Sequence, residues 1–201
     1  MQEINIPPDI SATQFFEEFV PETFREIISE NPIPGMEDTY LTLQVRLTGE
    51  GGCQYGITVR DAREMEVKEG ELENPMLTIV APYLAWRAAI SGQIKGAEMF
   101  YNPARFAQMV DREMYETART TSGTVIFKPV LGEGLDVSIK IIFNGAEQPS
   151  VTLSASPEVF YEMTSGTLSG PEAFLQGKLK IEGDLTFAMR LNAFMKLAGQ
   201  A

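Results

Sequence analysis

The sequence predicts an α+β fold: a mostly antiparallel sheet covered by helices on one face, with part of the unit repeated along the chain. Three observations carry this. Apolar residues alternate with period two from Tyr40 to Val80 and again from Val125 to Leu153. Helical periodicity surrounds and separates these stretches. Finally, residues 75–100 resemble residues 149–174 at a constant offset of 74 positions.

The first helix is expected over residues 10–29, where Phe15, Phe16, Phe19, Val20, Phe24, Ile27 and Ile28 recur near helical spacing. Ser11 or Thr13 can cap it, and Pro21 suits the start of a second helical piece. Asn31-Pro32-Ile33-Pro34-Gly35 is a turn. Leu41, Leu43, Val45 and Leu47 then share one face of a strand, and Tyr55, Ile57 and Val59 share one face of the next. The tight turn Glu50-Gly51-Gly52 joins them. Further strands at 65–68 and 76–80 extend what reads as an antiparallel meander. Helix follows over 82–91, and Asn102-Pro103 opens another whose stripe is Phe106, Met109, Val110, Met114 and Ala118. Strands are expected at 125–130, 135–143 and 151–153, then helices at 157–163 and after Gly170. Lys178-Leu179-Lys180-Ile181-Glu182 alternates as a strand, and Asp184 caps a C-terminal helix.

The internal similarity is longer than a shared turn requires. In 26 gapless pairs, eight are identical, among them Thr78/Thr152, Ala81/Ala155, Ser91/Ser165, Gly92/Gly166 and Phe100/Phe174; ordinary residue frequencies would give roughly two. The densest stretch reads as a helix ending at glycine, an apolar bridge, and a new helix with Glu in its first turn. After that the copies diverge. Only the second continues into a Gly177–Gly183 strand and a capped helix. Without a Pro/Gly/Ser-rich linker, halves 1–120 and 121–201 are expected to form one fused unit.

Composition excludes several function classes. The chain carries 16 Lys and Arg against 28 Asp and Glu, a net charge of −12. That provides no basic stripe for nucleic acid and would be repelled by an anionic membrane. Histidine is absent, which removes Ser-His-Asp and Cys-His catalysis and the commonest transition-metal ligand. No catalytic residue, metal or cofactor is expected. Gly49-Glu50-Gly51-Gly52 lacks the lysine of a phosphate loop, and Glu17/Glu18 and Glu69/Glu71 read as solvated faces. Cys53 is the only cysteine, so no intrachain disulfide can form, as suits a reducing, cytoplasmic setting. No run reaches the length of a bilayer span, and no stable membrane insertion is expected.

The second half resembles the sterol carrier protein type two family. The residues that carry the resemblance are Val151-Thr152-Leu153 before a helix, the Ser165-Gly166-x-Leu168 turn, and Ala173-Phe174-x-x-Gly177-Lys178-Leu179-Lys180-Ile181-x-Gly183-Asp184 ahead of an amphipathic helix. The Phe15–Phe19 helix followed by strands is similar to the family's opening. The chain departs from a single family domain in its length and in lacking the Gly-Lys-Leu strand from its first copy. It reads as a bacterial-type member with a partial duplication.

This resemblance implies a sheet with helices on one face enclosing an apolar space for a sterol, fatty acid or acyl-CoA. The expected lipid-contacting residues are Phe174, Leu179, Ile181, Phe187, Leu191, Phe194 and Met195, with the ten methionines supplying adaptable surface. The expected function is binding, and transfer, of such a lipid. The alternative is a non-catalytic accessory module that forms a homodimer or joins a partner enzyme, with Trp86 and the extra half-repeat offering surface for it.

Overall fold

The computed structural model of the protein describes residues 6–7, 9–30, 32–93, 111–130 and 137–198, with the side chains of Thr164 and of 192–198 excepted. Within these, the strands are β1 (Tyr40–Thr48), β2 (Cys53–Arg60), β3 (Glu64–Glu69), β4 (Leu77–Pro82), β5 (Gly123–Pro129), β6 (Ile139–Phe143), β7 (Ser150–Ala155) and β8 (Lys180–Gly183). The helices are α1 (Val20–Glu30), α2 (Tyr83–Ile90), α3 (Arg112–Thr120), α4 (Pro157–Thr164), α5 (Gly170–Leu175) and α6 (Leu185–Ala198). A π-helical turn, Gln14–Phe19, runs into α1 without the expected break at Pro21. Pro21 lies inside this continuous helical stretch and has no N–H to give it, directly after the π-helical turn whose closing bond runs from Val20 N–H to Phe15 O.

All eight strands form one sheet in the order β3-β2-β1-β4-β6-β5-β7-β8. Five of its seven pairings are antiparallel; β1·β4 and β5·β7 are parallel. The meander expected over 40–80 therefore stops at β3. β4 returns on the other side of β1 and runs parallel to it.

The crossover that makes this possible is held by outward-facing residues of β1. Thr42 Oγ1 accepts from Met76 N at 2.8 Å. Gln44, completely buried, accepts from Leu72 N at 2.7 Å and donates to Gly70 O at 3.1 Å. Arg46 pairs with Glu71. Gly56, opposite Gln44 in β2, leaves room for Leu72: a Cβ there would lie 2.5 Å from Leu72 Cγ. A buried amide is tolerated here because its donors and acceptor are used.

The other face is apolar, and in-register pairs carry it across the whole sheet. Val67, Ile57, Leu43, Leu77 and Phe143 lie in one such row, and Tyr55, Val45, Ile79, Ile141, Val125 and Val151 in the next. The buried residues divide into two clusters on this face. One gathers Phe15, Phe16, Phe24, Trp86 and Tyr115 over β1–β4, and the other gathers Phe160, Met163, Ala173, Phe187 and Leu191 over β5–β8. Leu77 on β4 and Ile139 on β6 touch both.

The two halves join by strand substitution. β6 meets β4 antiparallel, as β8 meets β7; β4 meets β6 antiparallel, as β3 meets β2. Each half thus supplies the edge strand that the other half's order leaves open. α3 ties the halves further. The Tyr40 N–H reaches Tyr115 Oη at 3.4 Å, and Asn144 Nδ2, two residues after Ile142 in β6, donates to the carbonyls of Ala118, Arg119 and Thr121 at the end of α3. Asn144 sits at φ +50°, a conformation asparagine tolerates.

Candidate functional site

The second cluster is assembled by short, locally capped helices. Ser156 accepts from Val159 N at the start of α4. Ser169 and Glu172 form a reciprocal capping box on α5, with Ser169 Oγ accepting from Glu172 N and Glu172 Oε2 accepting from Ser169 N at 3.1 Å. The Ser169 hydroxyl, and then its N–H, hold the Glu172 carboxyl below its ordinary range. Asp184 opens α6 by accepting from Phe187 N at 2.8 Å. Asp184 N in turn donates to Ser150 O at 2.9 Å, so the helix start is fixed to the edge of β7.

Phe187 is the centre of the cluster, with 1% of its surface exposed. Its ring fits because Gly123 has no side chain: a Cβ there would stand 2.7 Å from Phe187 Cζ and 2.5 Å from Pro149 O. Gly123 also has φ +137°, which side chains rarely permit. Leu191, one turn on, is buried beside it, and Arg190 lies 6.0 Å from the Phe187 ring centroid.

The expected lipid-contacting residues are distributed unevenly. Leu179, Phe187 and Leu191 belong to the buried cluster, and Ile181 packs against it half-buried. Leu179 does so from just outside β8, which begins at Lys180 instead of Lys178. Its N–H, like that of Lys178, donates to Ala173 O, so the chain still turns back toward α5 before the strand starts. Phe174 is not enclosed: it is 48% exposed, and Leu175 beside it 82%. In a six-residue helix Ala173 takes the inward position and its neighbours face out. The side chains of Phe194 and Met195 lie outside the described residues. Leu185 and Met189, one turn apart at the start of α6, are exposed. Lys178 and Lys180 are solvated, beside Glu162 at 3.9 Å and Glu182 at 3.0 Å.

The strand side of this cluster was not singled out from the sequence as part of a site. Val125, Phe127, Val151 and Leu153 form its floor, and Phe127 meets Phe160 edge-on at 5.7 Å. The alternation within 125–130 and 151–153 was the available signal; which strands lie side by side was not.

The first half repeats the helix-and-turn geometry. α2 and α4 span residues exactly offset by 74 (83–90 and 157–164). Ser91 N donates to Arg87 O and Ser165 N to Tyr161 O; Gly92 N donates to Ala89 O and Gly166 N to Met163 O. Gly92 and Gly166 share φ +74°. Trp86 and Phe160, the paired rings, are equally buried. The counterpart of α5 would fall in 94–110, outside the described residues, as do the expected stripe residues Phe106, Met109 and Val110.

Chemically, the described residues of the second cluster offer apolar surface, with the Arg190 guanidinium beside the Phe187 ring. Among the described residues there is no group of three metal-ligating side chains. Cys53 lies in the first half, and burial, then the Glu69 charge, push its thiol upward, away from the reactive thiolate. Burial likewise raises the Tyr55 hydroxyl, although its bond to Thr13 opposes this. Among the described residues no helix is long and apolar enough to cross a membrane.

The match to a known family falls on this same half. Residues 123–196 match the SCP-2 sterol transfer family. A stretch of 56 residues, 28% of this chain, is 38% identical to peroxisomal multifunctional enzyme A of Dictyostelium discoideum and covers 13% of that protein's length. Among solved structures, sterol carrier protein domain 2 of Helicoverpa armigera aligns with 56% of this chain and 90% of its own, at 23% identity and a TM-score of 0.33. Sterol carrier protein 2 of Yarrowia lipolytica aligns with 95% of this chain and 98% of its own, at 11% identity and a TM-score of 0.24. The segment similar to the SCP-2 sterol transfer family, residues 123–196, runs from the first residue of β5 into α6 and so takes in the whole of the second cluster.

Proposed function

We propose that the second half of the protein binds an apolar lipid between α4–α6 and the floor of β5, β7 and β8, and that it works by holding this molecule without chemical change. The observation that carries the reading is the coincidence of the family segment, 123–196, with the all-apolar cluster around Phe187. A site lined by hydrocarbon and aromatic surface selects a ligand by burial of apolar area, about 25 cal/mol per Å2. A sterol, a fatty acid and an acyl-CoA all present such area. We place the protein in the cytoplasm, where a lone thiol such as Cys53 stays reduced.

Native mass spectrometry of gently purified protein should show co-purifying lipid, and delipidated protein should take up a fluorescent fatty acid or sterol with saturation. Protein that stays empty in both experiments would sink the proposal. One observation favours the second reading, a non-catalytic accessory module. Phe174, Leu175, Leu185 and Met189 leave apolar surface outward on α5 and α6. An empty protein that runs as a stable dimer in light scattering would select it.

A further inference from the structure

The sheet ends at β8, and among the described residues no strand pairs with the outer edge of β8. The first half shows what this position can accept. β6 stands to β4 as β8 stands to β7: Ile79 faces Ile141 as Leu153 faces Ile181, and Val80 faces Lys140 as Ser154 faces Lys180. The hydrogen-bond phase matches as well. Asn144 N donates to Met76 O and Asp184 N to Ser150 O, three residues past Ile141 and Ile181 respectively. Bonded and non-bonded pairs alternate along an antiparallel ladder, so Lys180 and Glu182 bond inward to β7 and the backbone N–H and C=O of Ile181 point outward. Those of Ile141 are turned the same way, and there they face Val125 of β5. In the first half an antiparallel strand thus fills the edge that β8 leaves open.

We infer that the protein associates with a second copy of itself through β8, antiparallel about a two-fold axis at Ile181, so that the two sheets become continuous. Charge favours this register. Turning Lys180-Ile181-Glu182 about Ile181 sets each Lys180 opposite the other copy's Glu182. The two Ile181 residues exchange backbone hydrogen bonds, and the Lys180/Glu182 pairs fall at the non-bonded positions, where side chains stand closer. Lys180 and Glu182 already meet within the strand at 3.0 Å, with side chains 70% and 57% exposed. That contact leaves ammonium hydrogens and a carboxylate oxygen for a second partner. β8 is neutral, with one lysine and one glutamate, in a chain of net charge −12. β3, at the other end of the sheet, carries three glutamates against one lysine, and two such strands would add negative charge to negative charge. A four-residue edge buries less than a standard interface, so the dimer is weak and depends on concentration. The inference rests on the dimer of the second reading above and gives it a surface; it does not bear on whether lipid binds.

Sedimentation of the full-length protein from about 10 µM to about 1 mM, the range in which small interfaces associate, is expected to show a dimer that grows with concentration. Lys180→Glu and Glu182→Lys each set like charges opposite one another and are expected to weaken association about tenfold. Mixed in equal amounts, the two variants complement each other, and the mixture is expected to recover the wild-type association. Both positions are exposed, and recovery on mixing shows that each variant is folded. In the wild-type protein, hydrogen exchange of the Ile181 amide is expected to slow as the dimer forms, and this reading decides if a variant does not fold. A dimer that both variants keep, or one that leaves Ile181 exchange unchanged, overturns the β8 pairing and leaves the dimer to another surface. Weakening in both variants without recovery on mixing overturns the antiparallel register. A monomer at every concentration overturns the pairing and the dimer together and leaves the lipid reading standing.

Discussion

The helix above β4 and the helix above β7 end in the same turn, with matching hydrogen bonds and the same glycine φ, yet the clusters beneath them differ. Beneath α2 the buried ring is an indole packed with Phe15, Phe16 and Tyr83, and its N–H has no partner among the described residues. Beneath α4 it is a phenyl ring set edge-on to Phe127, in a cluster that α6 closes with Phe187 and Leu191. The back of the sheet differs as well. Gln44 pins the β3–β4 crossover, whereas Ile126, which faces Thr152 as Gln44 faces Thr78, pins nothing of the kind. The shared turn fixes how the chain leaves the helix. It does not fix what the helix covers.

The largest effects should come from the ring that anchors each cluster. Phe15→Ala and Phe187→Ala each remove a nearly inaccessible ring and should cost about 3–5 kcal/mol. Because β4 pairs with β6, both variants should lower the midpoint of a single urea transition followed by circular dichroism and by Trp86 emission. If Phe187→Ala moves the circular dichroism transition while Trp86 emission stays at the wild-type midpoint, the halves unfold separately and the β4–β6 seam is weak.

A middle-sized effect should single out the first half. Gln44→Leu keeps the volume but leaves Leu72 N and Gly70 O unpaired, a loss of about 1–3 kcal/mol in the same measurement. A neutral result would mean that the crossover finds other partners, and that its polar ladder is not what distinguishes the halves.

The local features of this fold were legible in the sequence. Alternation found the strands, glycine and serine spacing found the two matched turns, and Asp184 was readable as a cap because each of these acts within about four residues. What escaped was nonlocal. Nothing in Leu77–Pro82 says that this strand lies parallel to β1, or that β6 will pair with its other edge. The same limit shaped the site. Leu179, Phe187 and Leu191 were readable as inward stripe positions, but Phe174 was not readable as exposed, because in a helix of six residues its partner Ala173 takes the inward place. The unpaired Trp86 donor was invisible too, since a hydrogen-bond partner is a property of the packed structure.

The smallest effect is the most direct test of likeness between the halves. Gly92 and Gly166 occupy the left-handed region at φ +74°, so alanine at either should cost about 1 kcal/mol through backbone strain alone. At Gly92 a Cβ would meet nothing within 4 Å, so no clash should add to that figure. Gly92→Ala and Gly166→Ala should therefore give nearly equal losses. The double variant should lose their sum, within about 0.3–0.5 kcal/mol, because separate turns share no partners. A loss at Gly166 well above that at Gly92 would show that the second turn is also held by what lies beyond it, Leu168 and the capped α5. The likeness would then end at the glycine, and the closed packing of the second half would reach back into its turn.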